Sequence, residues 1–334
     1  MSLTICILAA VAAPSDAVTA TLEPRPVPRW DYATPREVWS KVDGGIPVPH
    51  KGGERFLAHA DGPDGIFLMV DKDGDGQVDE KVKGVGGFVA LRAKTSDGKD
   101  VHYGVRFRKS GANWEYSTSS TMTGKVAGLP FTVVDIDGNG RWNDYGVDGL
   151  IIGKSKNVGF LSKVVSLRDE LMNLEVSEDG TDVKLTAFEG ETGSIDFSIQ
   201  TKGKLAVATV SDLSGKVSFA FEKSGKQVVP VGKYVISGGF LSKGKEQARL
   251  ATGKMQSIEV KTNADTSLAI GGTVKADFRF EVVGDKVTVQ PKVHYYGQAG
   301  EEYIEWAPDN QSPKLTVFDD RKKRPVESGR FASC

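Results

Sequence analysis

The chain has 334 residues, enough for about two or three domains, and its 43 basic and 44 acidic side chains nearly cancel. That balance excludes the basic stripe that a nucleic-acid surface requires. With 39 glycines and 39% hydrophobic residues, the profile suits a soluble, turn-rich β protein and excludes a disordered chain.

Residues 1–20 read as a signal peptide. "LTICILAAVAA" is an apolar run followed by small residues, with cleavage points after Ala17 and Ala20. The run is too short to span a bilayer, and no later stretch has the length of a membrane helix. Cys6 lies inside this segment, so cleavage leaves Cys334 as the single thiol and no intramolecular disulfide. Secretion or an extracytoplasmic location is the expectation.

Residues 21–50 carry six prolines and predict an extended segment, with "PREVWSKV" alone able to form a helical turn or two. Trp30, Tyr32 and Trp39 are its anchors. From 51 to 198 short apolar or alternating runs sit between Gly, Asp and Asn turns, as in "GIFLMV", "GGFVALRA" and "LPFTVV". "LMNLEVSEDGTDVKL" predicts a hairpin with its turn at "EDGT". "LSKVVSLRDELMNL" is the best candidate for a short helix, with strand as the alternative. The fold class is all-β and multidomain, with antiparallel sheets or sandwiches and few short helices.

Residues 199–261 predict a small β-sandwich. "PVGKYVI" (Pro230–Ile236) is similar to the turn-plus-strand of transthyretin-like modules in secreted bacterial proteins. Residues 262–334 predict a further sandwich, with an immunoglobulin-like arrangement chosen on strand count.

Two acidic stretches stand out. "DKDGDGQVDE" (71–80) and "DIDGNGRWND" (135–144) each follow an apolar strand and repeat at an offset of 64 residues. Carboxylates at alternate positions of a tight loop converge on one point, and a glycine after the third lets the backbone turn back. Hard cations such as calcium take six to eight oxygens, and this spacing offers them. In the first loop Asp71, Asp73 and Asp75 supply side chains, Gln77 its carbonyl, and Asp79 a direct or water-mediated contact. In the second, Asp135, Asp137 and Asn139 take the first three places, and Arg141 offers its carbonyl. Asn143, Asp144 or Asp148 completes the shell. Crowding three carboxylates is unfavourable unless a cation neutralises them.

Both stretches resemble the first half of an EF-hand loop and, more broadly, the D-x-D-x-D-G calcium loops of secreted bacterial proteins. They depart from the EF-hand where it needs a bidentate Glu: position twelve holds Val82 or Gly146, with Glu80 and Asp144 the nearest substitutes. Their flanks read as strands, not helices. The run "DIDGNGRWND", "YGVDGLIIG" and "GETG" also resembles uncharacterised secreted bacterial proteins, a resemblance that implies no activity.

Catalytic patterns are missing. His50, His59, His102 and His294 share no metal-ligand spacing, and there is no G-x-S-x-G elbow, P-loop or G-x-G-x-x-G. The expectation is a non-catalytic calcium-binding β protein with a structural or adhesive role at the cell envelope. An adhesive role would engage a cell-surface glycan or a protein. The alternative is a calcium-dependent carbohydrate-binding or carbohydrate-active protein. It would pair carboxylates and stack sugar on Trp114, Tyr116, Trp142 or Tyr145.

Overall fold

A computed structural model describes residues 17–47, 55–94, 98–284, 286–308, 311–319 and 321–331. Cys6, His50, Cys334 and most of the expected signal segment lie outside the described residues. The protein is all-β: strands follow one another from Val18 to Arg330, with a short 3-10 turn at Pro63–Gly65. No helix among them is long and apolar enough to cross a membrane.

Two hydrophobic cores organise the strands. The first is enclosed by four sheets built from residues 18–187. One joins Val18–Thr21, Asp182–Ala187, Glu170–Val176 and Val164–Leu167. A second joins Ser40–Lys41, Asn113–Thr118, Asp100–Ser110 and Gly86–Lys94. A third runs from Gly159–Phe160 through Gly149–Ile152, Leu129–Val134 and Ser120–Val126 to Glu23–Pro26. The fourth is a meander of Gly45–Pro47, Arg55–Asp61, Phe67–Val70 and Glu80–Lys83. Alternation drives this packing: in Phe67–Val70, Leu68 and Val70 are fully buried, whereas Phe67 and Met69 are half-buried. Leu22, Ile46, Phe56, Leu91, Phe131 and Trp142 fill the centre.

The stretch offered as a short helix is a hairpin. Val164–Leu167 and Glu170–Val176 pair antiparallel around Arg168 and Asp169, at φ +52° and +68°. Positive φ at both central residues is the turn that matches strand twist, and β-branched valines favour the extended state. Adjacent side chains of this hairpin point to opposite faces, so Val165 enters the first core and Val164 the second. The expected hairpin at 171–185 forms, with Gly180 at φ +73° in its turn. "PREVWSKV" makes no helix. Ser40–Lys41 is a short strand against Tyr116 and Glu115, and Trp39 lies under the Arg108 guanidinium at 4.3 Å. Trp30 and Tyr32 meet edge-on at 5.1 Å and pack on Val134, Ile151 and Val158.

The second core is closed by a three-stranded sheet and an eight-stranded one. Thr192–Gln200 is central in the smaller sheet. It pairs antiparallel with Gly225–Pro230 and parallel with Asp265–Gly271, a departure from the antiparallel expectation. In the larger sheet, Glu246–Ala251 pairs with Glu302–Ile304. Pairing therefore crosses both expected boundaries, 198/199 and 261/262. Residues 262–334 do not form a sandwich of their own: they divide between these two sheets and a separate hairpin, Lys314–Asp319 with Arg324–Arg330. Alternation identifies a strand but not its partner, which is why these boundaries were not readable from spacing. In "PVGKYVI", Tyr234 is buried and its hydroxyl donates to the Pro230 carbonyl at 2.8 Å.

The strand Val18–Thr21 pairs residue for residue with Leu185 to Asp182. Of the two cleavage points expected from the sequence, the one after Ala17 would leave this strand whole.

Candidate metal centres

Each acidic stretch is the connection between two strands of a sheet. The first joins Phe67–Val70 to Glu80–Lys83, and the second joins Leu129–Val134 to Gly149–Ile152. Pairing holds both ends: the Asp71 amide donates to the Leu57 carbonyl at 2.8 Å, and the Asp79 amide to Val70 at 3.0 Å.

Inside the loops one hydrogen-bond pattern is written twice. Asp71 Oδ1 accepts from the Gly74 amide at 2.7 Å and Oδ2 from Gly76 at 3.0 Å. Asp135 does the same with Gly138 at 2.7 Å and Gly140 at 3.1 Å. Asp73 Oδ1 accepts from the Asp75 amide at 3.3 Å, as Asp137 Oδ1 does from Asn139 at 3.3 Å. Asp75 Oδ1 accepts from Gln77 at 2.7 Å, as Asn139 Oδ1 does from Arg141 at 2.7 Å. Each carboxylate or amide thus fixes the backbone two to five residues ahead.

Glycine is required at the bend. Gly74 (φ +76°) and Gly138 (φ +71°) both lie in the left-handed region. A β-carbon at Gly74 would meet Phe56 Cε1 at 2.5 Å, and one at Gly138 would meet Thr118 Cγ2 at 2.6 Å. The loops are therefore pressed against the core as well as tightly wound.

The result is two carboxylate groups. One oxygen from each of Asp71, Asp73 and Asp79 lies within 4.8 Å of the others, and the same holds for Asp135, Asp137 and Asp148. Two oxygens bound to one cation at about 2.4 Å lie no more than about 4.8 Å apart, so each group could hold a metal ion. Both donor sets are all-oxygen, which suits a hard cation.

Asp148 is brought in by a turn. Its amide donates to the Asp144 carbonyl at 2.9 Å, and its Oδ2 accepts from the Asp144 amide at 2.9 Å. Its Oδ1 accepts from Ile136 at 3.3 Å. Of the three residues proposed to close the second shell, Asp148 is the one whose carboxylate joins the group. Asp144 instead accepts from Asn139 Nδ2 at 2.6 Å and lies 3.8 Å from Arg141. Asn143 Oδ1 is buried without a hydrogen-bond partner among the described residues. In the first loop Asp75 is exposed and stays outside the group, and Glu80 faces Lys72 at 3.4 Å.

The two groups differ in burial. Asp71 is buried, whereas Asp73 and Asp79 are exposed; Asp135 and Asp148 are both closed to solvent and Asp137 is exposed. Burial, followed by the charge of Asp135, pushes the Asp148 carboxyl up to about 8. Burial pushes Asp135 up to about 7, opposed by its amide donors Gly140 and Gly138. Tyr103 also restrains Asp135 through its hydroxyl, which donates to Oδ2 at 3.2 Å. Sequence reading did not find Tyr103, because nothing within its own strand marks which buried tyrosine meets a loop.

The aromatic residues offered as a sugar platform are interior. Trp114 is 3% exposed and donates to the Gly65 carbonyl at 2.8 Å; Trp142 is 1% exposed. Tyr116 is buried, and Tyr145 bonds the Leu174 carbonyl at 3.2 Å. His59 and His102 are exposed, and His294 bonds Glu302 at 2.7 Å. No protein-family model, curated protein or solved structure matches the chain, so the functional reading rests on the loops themselves.

Proposed function

We propose that this is a secreted, non-catalytic β protein of the cell envelope whose first unit is stabilised by two calcium ions. The carrying observation is the repeated network that converges Asp71, Asp73 and Asp79 in one loop and Asp135, Asp137 and Asp148 in the other. Buried carboxylates held together without a counter-charge are unfavourable, and a divalent cation removes both repulsion and desolvation cost. Calcium fits better than magnesium, because an irregular set of carboxylate oxygens with backbone carbonyls nearby suits its higher and less regular coordination. Lacking a bidentate Glu at position twelve, the loops would bind weakly, in the range that extracellular calcium saturates.

Calcium's role here is mass-action stabilisation: it binds the folded loops and not the unfolded chain. It would fix the ends of two neighbouring sheets that carry the first core. The burial of Trp114 and Trp142 supports this structural role over a sugar-stacking one. Export is the setting the reading needs, with signal cleavage after Ala17 preserving the first strand. The test is titration calorimetry and thermal melting of chelator-treated protein. Two calcium ions bound per chain and a raised melting temperature are expected. No heat and no shift would sink the reading.

A further inference from the structure

We infer that the exposed strand Lys275–Val283 is a self-association edge, which pairs antiparallel with the same strand of a second copy about a twofold axis at Phe278. This strand is the outermost member of the eight-stranded sheet: among the described residues it pairs with Lys286–Tyr296 on one side and with no strand on the other. Open strand edges are templates for pairing with another chain.

The side chains specify the partner. One face of the strand reads Lys275, Asp277, Arg279, Glu281. An antiparallel copy centred on Phe278 sets Lys275 opposite Glu281 and Asp277 opposite Arg279, each twice by symmetry. All four charged pairs are then of opposite sign. Centring the axis on Asp277 or Arg279 instead sets like charges opposite each other: Lys275 with Arg279 in the first case, Asp277 with Glu281 in the second. An axis on Ala276 or Phe280 forms two opposite-sign pairs, Lys275 with Asp277 or Arg279 with Glu281, so the Phe278-centred register is the one that forms four, and the interface is isologous.

Three of these four charges have no charged residue opposite them in the chain's own sheet. Lys275 is opposite Tyr296 and Glu281 is opposite Thr288, while Arg279 sits at a register shift with no residue assigned opposite. Among the described residues none of the three forms an ion pair. Asp277 is opposite His294 and already forms an ion pair with Lys254.

The other face is apolar and uncovered. Phe280 is 57% exposed and Val282 60%, with Val287 beside them at 51%. In the Phe278-centred register Phe278 meets its own copy and Ala276 meets Phe280. Phe331, whose ring lies 5.8 Å from that of Phe278, extends the same cluster. Self-pairing at this edge extends the sheet and covers part of its exposed apolar surface.

Sedimentation equilibrium of the full chain tests this, and a monomer–dimer equilibrium is expected. Lys275→Glu reverses two of the four pairs and weakens the dimer about tenfold, while Lys275→Glu with Glu281→Lys restores it. In a background of Cys6→Ser and Cys334→Ser, Phe278→Cys crosslinks to its own copy under mild oxidation, since facing residues across the axis are within disulfide reach. A chain that stays monomeric at high micromolar concentration overturns the inference. So does a dimer indifferent to Lys275→Glu, a double variant that fails to restore it, or a Phe278→Cys chain that does not crosslink.

Discussion

A carboxylate oxygen of Asp135 lies within 4.8 Å of one from Asp148, and both residues are closed to solvent. Burial makes ionising either acid costly without a cation and raises both carboxyls, to about 7 for Asp135 and, with the Asp135 charge adding to burial, to about 8 for Asp148. The folded form therefore holds protons that the unfolded chain releases near pH 4. Stability falls with pH wherever the folded state binds more protons. The metal-free protein should lose stability progressively as pH rises from about 4 to about 8. Under the proposed reading, calcium should reverse this loss by displacing the protons, so its stabilising effect should grow with pH over the same range. Melting curves with chelator or calcium between about pH 5 and 9 check the sign, and calorimetry in buffers of different ionisation enthalpy should show proton release on binding. Removing the hydroxyl with Tyr103→Phe costs about 1–2 kcal/mol and moves the binding midpoint to higher pH, because Asp135 loses a donor that favours its charged form.

The two loops share a hydrogen-bond pattern but no residue, so their sites should be separable. Asp73→Asn and Asp137→Asn change exposed members of each group and should leave the fold intact. Each lowers the calorimetric stoichiometry from two calcium ions to one. Asp148→Asn should likewise silence the second loop. Asp144→Asn should weaken it by no more than about threefold, because Asp144 contacts Asn139 and Arg141, not the converging oxygens. Equal effects of Asp144→Asn and Asp148→Asn would contradict the assigned shell.

Gly74 and Gly76 both adopt positive φ, at +76° and +86°, but their surroundings differ. A β-carbon on Gly76 meets nothing within 4 Å, whereas one on Gly74 would sit 2.5 Å from Phe56 Cε1. Gly76→Ala should cost about 1–2 kcal/mol, the price of a left-handed L residue. Gly74→Ala adds the displacement of a core ring and should cost about 3 kcal/mol or more. Denaturant melts with calcium present measure the difference.

Trp142 discriminates a structural role from a sugar-binding one. It is 1% exposed and packs against Gly180, where an added β-carbon would lie 2.7 Å from its Cγ. Trp142→Ala should destabilise the protein by about 3–5 kcal/mol, the cost of a large core cavity. A variant as stable as the parent that loses glycan retention would instead place Trp142 on a binding face.

The sequence by itself determined the features whose physics is complete within about ten residues. Alternating runs and Asp/Gly turns marked an all-β chain, because strand faces and turn dihedrals are local requirements. The echo of Asp71, Asp73, Gly74 and Gly76 in Asp135, Asp137, Gly138 and Gly140 marked both loops, because the bonds repeated in the two reach at most five residues ahead. Only the tertiary structure decided what depends on distant neighbours. Asp148 rather than Asp144 enters the second group because the turn before Gly149 folds it back, and Tyr103 arrives there from another sheet. The tryptophans that decorate the second loop in sequence are swallowed by the core, since exposure is set by what packs above a residue. The parallel pairing of Thr192–Gln200 with Asp265–Gly271 followed the same rule: a strand shows its period in its own residues, and its partner only in the assembled sheet.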